Sequence, residues 1–541
     1  MKKSYHLIAC LVIGLLFICG CSKNSSSSSK GKEVNLALIS ELTSGDLATV
    51  TDTNTFTMFN NVQEGLYRFD ENNHLQKALV KEDPKISEDQ LTYTFKLREG
   101  AKWSNGDPVT AKDFEYGWRR MCDPKTGAGG AYFFDYVIKN AHQVIYEKAP
   151  VDSLGVKALD DYTLEVSLAY PVPYFLDLLA DPLYFPHNQK AVEKFGDKFG
   201  SSSETMVYNG PFVLKNWTGS TAEWAYEKNP DYWDKDNVHV DKVNIQVVKE
   251  DATAVNLFEL GKLDWLQLRG EYSKQYAKNP CFVSVPQKAS MYLTMNQTDK
   301  SLLKNKNLRL AIAYAFDRKQ LTERVLGDGS IPLGTLTPPD FVKTADGKDY
   351  IEGVQNKHEK NPELAKEFLQ KAKAELGKDK FKLEYLAVDD ESSKLVAEYL
   401  QGQIQETLPD VQITIKTVPS KSLFPTLKKG EFDMARTGWG PDFFDPITFL
   451  NLFEGKSKYN DGKYTNAAFD QLVHRSKIED AKDKDLRMKD MQEAESIFLK
   501  EAGAPTLYAK ALATLHKPHM KKFFIDPLTG QQTYKFIELE K

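Results

Sequence analysis

Phe381-Lys382-Leu383-Glu384-Tyr385, then Leu395, Val396, Tyr399, Leu400, Ile404 and Leu408, then Val411-Gln412-Ile413-Thr414-Ile415: this stretch changes its apolar period twice. From Phe381 to Tyr385 every second residue is apolar, the period of a strand with one buried face. From Leu395 to Leu408 the apolar residues recur at three and four, so they line one face of a helix. Alternation returns at Val411. A strand, a helix of this length and a second strand predict a parallel βαβ unit with a right-handed crossover, and hence an α/β fold. Asp389-Asp390-Glu391 reads as the helix start, where acids complement the positive end of the dipole.

Downstream, Phe432-Asp433-Met434-Ala435 predicts another strand of the same sheet. Arg436-Thr437-Gly438-Trp439-Gly440-Pro441-Asp442-Phe443-Phe444-Asp445-Pro446 follows at once. Ligands of open α/β sheets sit beyond the carboxyl ends of strands, which is where this segment falls. Gly438 and Gly440 carry no Cβ to hold off an approaching backbone. Trp439 offers a wide apolar face with one N–H donor, either as a cleft wall or as core. Asp442 suits an ammonium, although Pro441-Asp442 also favours a plain turn. Arg436 either meets ligand carbonyls or a carboxylate, or pairs with Asp433 or another acid. An extended zwitterion such as a peptide would use all of these features, with backbone hydrogen bonds from Thr437 to Gly440.

Upstream, Val34–Ile39 and Leu91–Leu97 read as strands. Asp160-Asp161 separates two short alternating runs and predicts a hairpin. Leu308, Ala311, Ile312, Ala315 and Phe316 share a helical face, and Gly327 is a natural residue for a helix end after Leu326. The 541 residues are too many for one core and predict two to four domains of about 100–200 residues.

With 41% apolar and 27% charged residues the chain reads as globular, apart from its start. A net charge of −5, from 71 basic and 76 acidic residues with no basic face, argues against nucleic acid. The nine histidines contain no HExxH, and neither a G-x-S-x-G elbow nor a Walker A motif occurs, so no metal, cofactor or catalytic role is expected. Gly127-Ala128-Gly129-Gly130 lacks a following Lys-Ser/Thr and reads as a connection. Lys2 and Lys3, the apolar run Leu7–Ile18 and small Gly20 before Cys21 form a secretion signal, too short to span a bilayer comfortably. Ser22 to Lys32, with five consecutive serines, has the composition of a tether. Beyond the signal, Cys122 and Cys281 form either one disulfide or two separate thiols.

An ordered series of motifs resembles the bacterial oligopeptide-binding proteins, the extracytoplasmic receptors of peptide ABC importers. It comprises Glu64-Gly65-Leu66-Tyr67-Arg68, the run Leu97–Phe114, Leu154–Val166, Pro171-Val172-Pro173-Tyr174-Phe175, Tyr208-Asn209-Gly210-Pro211-Phe212, Asn229-Pro230-Asp231-Tyr232-Trp233 and Leu308–Arg318. The resemblance implies a type II periplasmic-binding-protein fold of two lobes with an additional domain. It places lobe 1 in 33–63, 201–257 and 510–541, the additional domain in 64–200 and lobe 2 in 258–509. Residues 1–20 would be the signal peptide and 21–32 the tether. Ile18-Cys19-Gly20-Cys21 resembles a lipobox, which makes Cys21 the lipid-modified residue and puts the protein on the outer face of the cell membrane.

In that family the acid three residues after the tryptophan holds the peptide's α-amino group; here it is Asp442. The resemblance also brings Tyr208 and Asn209 to the cleft, and Thr51 and Asp52 to the position of an early acid. Other contacts differ: Leu427 stands where an arginine is expected, Ser392 and Ser393 where a histidine is, and Gly130 where a tyrosine is. A different peptide length or sequence preference follows. The expected partners are an oligopeptide, the permease's membrane subunits and the membrane through the anchor, with the protein monomeric. A receptor for one peptide pheromone, a binder of another solute such as an oligosaccharide, and a peptidase are the competing readings.

Overall fold

The computed structural model describes residues 32–50, 52–135 and 137–540. The signal, Cys21 and the tether as far as Gly31, and also Thr51, lie outside the described residues. Among them, no helix is long and apolar enough to cross a membrane.

Eleven strands form the main sheet. They are β1 (Glu33–Leu38), β2 (Phe212–Lys215), β3 (Glu223–Lys228), β4 (Lys242–Val247), β5 (Trp265–Gln267), β6 (Phe282–Met295), β7 (Ile331–Pro332), β8 (Phe381–Val388), β9 (Val411–Val418), β10 (Met434–Trp439) and β11 (Thr506–His516). Their order is β9-β8-β10-β6-β11-β5-β1-β4-β3-β2, with β7 against β11. The βαβ reading holds: β8 and β9 pair in parallel from Phe381↔Val411 to Val388↔Val418. The helix Glu391–Thr407 joins them, and Asp390 caps it by accepting the Ser393 N–H at 2.9 Å. Val396, Leu400 and Ile404 bury its inner face against the sheet, as their spacing requires.

Two strands run through both ends of the sheet. The first half of β6 pairs with Ala511–Leu515 of β11, and its second half pairs with β10 and with the start of β11. Register is lost between Pro286 and Ser290, so a bulge marks the passage from one end to the other. Trp265–Gln267, which the sequence boundaries count with 258–509, pairs with β1 and with the far end of β11.

Three large cores lie along this frame. One gathers Val34, Leu36, Trp217, Trp224 and Tyr226 around β1 to β4. Another packs Leu293, Ile312, Tyr385 and Leu400 around β8 to β10. The largest joins Phe95, Trp103, Trp118 and Tyr184 to Ile447, Phe449 and Phe498. The predicted hairpin is present, Val156–Asp160 against Thr163–Ser167 in a separate four-stranded sheet. Gly327 ends its helical segment at φ 63°, a conformation in which a Cβ is strained. Cys122 and Cys281 are both free, which settles the open alternative as two thiols.

Candidate functional site

β10 carries an open edge. On one side it pairs with β6 over its full length, from Met434↔Met295 to Trp439↔Ser290. On the other side β8 reaches only Met434 and Ala435. Among the described residues the backbone from Arg436 to Trp439 thus has no strand on that side, the arrangement to which an extended chain adds itself.

The loop after β10 is fixed from beneath. Asp445 and Arg487 form a buried bidentate pair at 2.5 and 2.8 Å, and Asp445 also accepts the Ile447 N–H at 3.0 Å. Thr448 Oγ1 accepts both the Trp439 indole N–H and the Asp442 backbone N–H at 3.2 Å. Phe443 stacks on Tyr174 with centroids 3.8 Å apart. Trp439 is half-buried, packs against the largest core and meets Tyr459 at 5.2 Å, and it lines none of the cavities described below.

On this platform the Asp442 carboxylate has no hydrogen-bond or ion-pair partner among the described residues. Burial, and then the nearby Asp181, push its pKa up to about 7. Burial raises Asp181 to about 7 as well, against the pull of the Leu183 N–H it accepts. Asp526, also raised by burial, shares with Asp181, Asp442 and Arg68 the wall of a 40 Å³ pocket. Like charges this close disfavour joint ionisation, and a cation placed between them would reverse that.

Three larger cavities adjoin one another along β10. The first, 290 Å³, contains Asp442, Asp181, Tyr132, Phe56 and Gly440. It shares Thr53, Gly440, Leu528 and Thr529 with a second of 370 Å³. That one shares Ile39, Gln267 and Lys510 with a third of 840 Å³, where Arg436 and Tyr508 stand.

The sequence-predicted residues divide accordingly. Asp442, Gly440 and Arg436 line the cavities, and Asp52 lines the middle one while capping the helix Thr53–Val62 through the Thr55 N–H. Arg436 does not pair with Asp433, which instead accepts the Glu384 N–H at 2.7 Å. Its guanidinium donates to Tyr508 Oη at 2.8 Å and Ser393 Oγ at 2.7 Å. Gly438 is set by packing: a Cβ there would fall 2.3 Å from Met291 Sδ and 2.9 Å from Ser290 O. Thr437 turns its hydroxyl onto Thr294 at 2.6 Å, which leaves only its backbone for a ligand.

Tyr208 and Asn209 stand apart from these cavities. The Tyr208 hydroxyl donates to Ser203 O at 2.5 Å within the core around β1 to β4, and Asn209 clasps the Glu64 backbone at 3.1 and 2.9 Å. The side-chain polar atoms of both residues are thus engaged within the fold. Sequence reading missed Asp181 and Lys510. Asp181 opens a Pro-initiated turn that looks like ordinary capping, and Lys510 lies in an otherwise apolar strand. Gly130, Ser392 and Leu427 are the positions at which the resemblance leads one to expect other side chains. Gly130 lines the first cavity, Ser392 the third, and Leu427 is fully buried.

Comparisons with known proteins identify the family and the fold. The family described as "Bacterial extracellular solute-binding proteins, family 5 Middle" matches residues 74–461. The dipeptide-binding protein of Lactococcus lactis subsp. cremoris is 35% identical over 469 residues, 84% of each chain. The structure of Listeria monocytogenes OppA bound to peptide superposes with a TM-score of 0.78 at 36% identity, over 95% of this chain and 100% of that one. The pheromone receptor PrgZ gives a TM-score of 0.78 at 36% identity, over 94% and 100%. The open-edged strand, the unpartnered acid and these likenesses lead to one placement: the chain belongs to family 5 of the bacterial extracellular solute-binding proteins, peptide-binding transport proteins on the type II periplasmic-binding-protein fold.

Proposed function

We propose that the protein captures oligopeptides in the run of cavities along β10 and hands them to an ABC permease. It acts as a monomer held to the outer face of the cell membrane by a lipid on Cys21, and it is not an enzyme. The ligand lies extended against the free edge of Arg436–Gly440, so backbone hydrogen bonds give affinity with little regard to side chains. Asp442 takes the α-ammonium and sets the direction of the chain. Lobe 1 (33–63, 201–257, 510–541) and lobe 2 (258–509) close on the peptide about the β6–β11 crossing, beside the additional domain (64–200). Closure removes water and strengthens the ion pair.

One observation carries this reading: a buried, unpartnered carboxylate at the end of an open strand edge. Native mass spectrometry of freshly purified protein, followed by calorimetry with the peptides found, tests it. Retained peptides with free amines are expected; a retained sugar or an empty cleft that ignores peptide pools would oppose it. A second reading, a receptor for one peptide signal, is favoured by the likeness to the pheromone receptor. A single tight sequence from a peptide pool would select that reading, and many would select nutrient uptake. Peptides recovered cleaved after incubation would instead mean a peptidase.

A further inference from the structure

One turn of the chain is wound wider than the α-helices around it. The segment after Asp317 starts as an α-helix over Arg318–Gln320, capped by the Asp317 carboxylate, which accepts the Gln320 N–H at 2.9 Å. From Leu321 to Leu326 it continues as a π-helix. The Gly327 N–H closes it by donating to Thr322 O at 2.9 Å, five residues back. A π turn takes up one residue more than an α turn; such turns are rare and often sit at functional sites.

The apolar pattern does not call for it. In an α-helix Val325 would stand one turn after Leu321 on the same face, and both are apolar. Instead Leu326 joins Leu321 in the core around β8 to β10, while Val325 is only half-buried. Residues five apart on an α-helix diverge by about 140°, so it is the wide turn that lets this pair share a core. Glu323 and Arg324, between them, are exposed.

The reason lies in what the two ends must reach. At the start, Tyr399 donates to Asp317 O at 2.7 Å and the buried Arg318 donates to Thr506 O at 2.7 Å. At the far end, Ser284 of β6 donates to Asp328 O at 2.9 Å, and the Ala511 N–H of β11 donates to Ser330 Oγ at 3.3 Å. Gly329 presses so close that a Cβ there would overlap Ser284 Oγ, and β7 then pairs with Ala509 and Tyr508. Between these pins the turn delivers residues to the cleft. Leu326 and Asp328 line the 840 Å³ cavity. Gly327 lies under Lys274, whose Cγ would stand 2.7 Å from an added Cβ, and Lys274 belongs to the segment Gly270–Tyr276 that lines the same cavity with Gly270 to Ser273.

We propose that the π turn is a positioning device for the cleft: its extra residue sets Leu326 and Asp328 in the wall of the third cavity, and the binding of longer peptides depends on it. The proposal rests on the peptide reading above. With one residue fewer the segment closes as an α-helix, and its end is drawn back by about 1.5 Å and turned by about 100°. Gly440 borders the first two cavities and Arg436 the third. They are four strand positions apart, about 13 Å, so a dipeptide held at Asp442 stops short of the third cavity and a peptide of about five residues enters it.

Deletion of Glu323 tests this, with Glu323→Ala as the control that keeps the residue count. Alanine peptides of about two to six residues are titrated by calorimetry into each protein, with the melting temperature read beside them. The deletion is expected to weaken the longer peptides by about tenfold or more and the dipeptide by less than about threefold, whereas Glu323→Ala changes neither. Leu326→Ala keeps the turn and trims only the wall, and it should weaken the longer peptides alone by about threefold or more. Undiminished binding of long peptides by the deletion variant overturns the proposal, and so does an equal loss at every length. Should the deletion variant fail to fold, Leu326→Ala decides: an unchanged ratio of long- to short-peptide affinity overturns it. Failure of the wild type to bind peptides of any length removes the peptide reading itself.

Discussion

Under the proposed function Asp442 is the residue on which binding turns, and its lack of a partner among the described residues is what suits it to an ammonium. Asp442→Ala is expected to cost about 2–5 kcal/mol of peptide affinity, the range for stripping one partner from a buried charge pair. Calorimetry checks it, with the melting temperature as control. The raised pKa has a second consequence. Between about pH 4 and pH 7 the folded carboxyl at Asp442 holds more protons than the unfolded one, whose pKa is near 3.8. Stability of the empty protein therefore falls as pH rises through that window. A bound ammonium favours the ionised form, so peptide binding at about pH 6 should release protons, while above the α-amine pKa of about 8 it should take them up. Calorimetry in buffers of differing ionisation enthalpy reads this directly, and a proton count of zero at pH 6 would mean that Asp442 and Asp181 are not engaged. At this scale the sequence was legible where chemistry was local. Asp442 beside Trp439 could be read; Asp181, some 260 positions earlier, is brought near only by the fold.

At the scale of elements, β10 and its loop are a strand edge held ready by its supports. The two glycines answer to different demands, which mutation separates. Gly438→Ala forces a Cβ against Met291 Sδ and Ser290 O and is expected to cost about 1–3 kcal/mol of stability. Gly440→Ala meets only Leu528 O at 3.7 Å, so its melting temperature should hold while its cavity wall moves toward the ligand. Denaturant unfolding of the pair, with peptide titration beside it, checks both. Arg487→Met leaves Asp445 buried without its guanidinium and should destabilise by about 3–5 kcal/mol. The β8–helix–β9 unit was readable because its apolar period follows directly from strand and helix geometry. That Tyr208 and Asn209 stand apart from the cavities was not readable. A buried Asn–Gly turn and a ligand loop have the same sequence, and only the Glu64 backbone held by Asn209 tells them apart.

The whole molecule is organised by β6 and β11, which cross from one end of the sheet to the other through the bulge at Pro286–Ser290. No local pattern announces such a passage, because a strand pairing at both ends of a sheet has the same alternation as a strand pairing at one. Asp442 and Asp181 line the first cavity and Arg436 and Lys510 the third, an order set by topology and not by neighbouring residues in the chain. Ligand binding to the folded state alone raises the unfolding free energy by about 2.7 kcal/mol at a hundredfold excess over Kd. A matching rise in melting temperature, with a smaller radius of gyration by solution scattering, is the expected sign of closure.

A double-mutant cycle tests the central claim most directly. A tight-binding peptide and its N-acetylated form are each titrated into the wild type and into Asp442→Asn. The account predicts that acetylation weakens wild-type binding by about 2 kcal/mol or more, and that it costs the variant far less, because both changes remove the same contact. Equal affinity of the free and acetylated peptides for the wild type would contradict it.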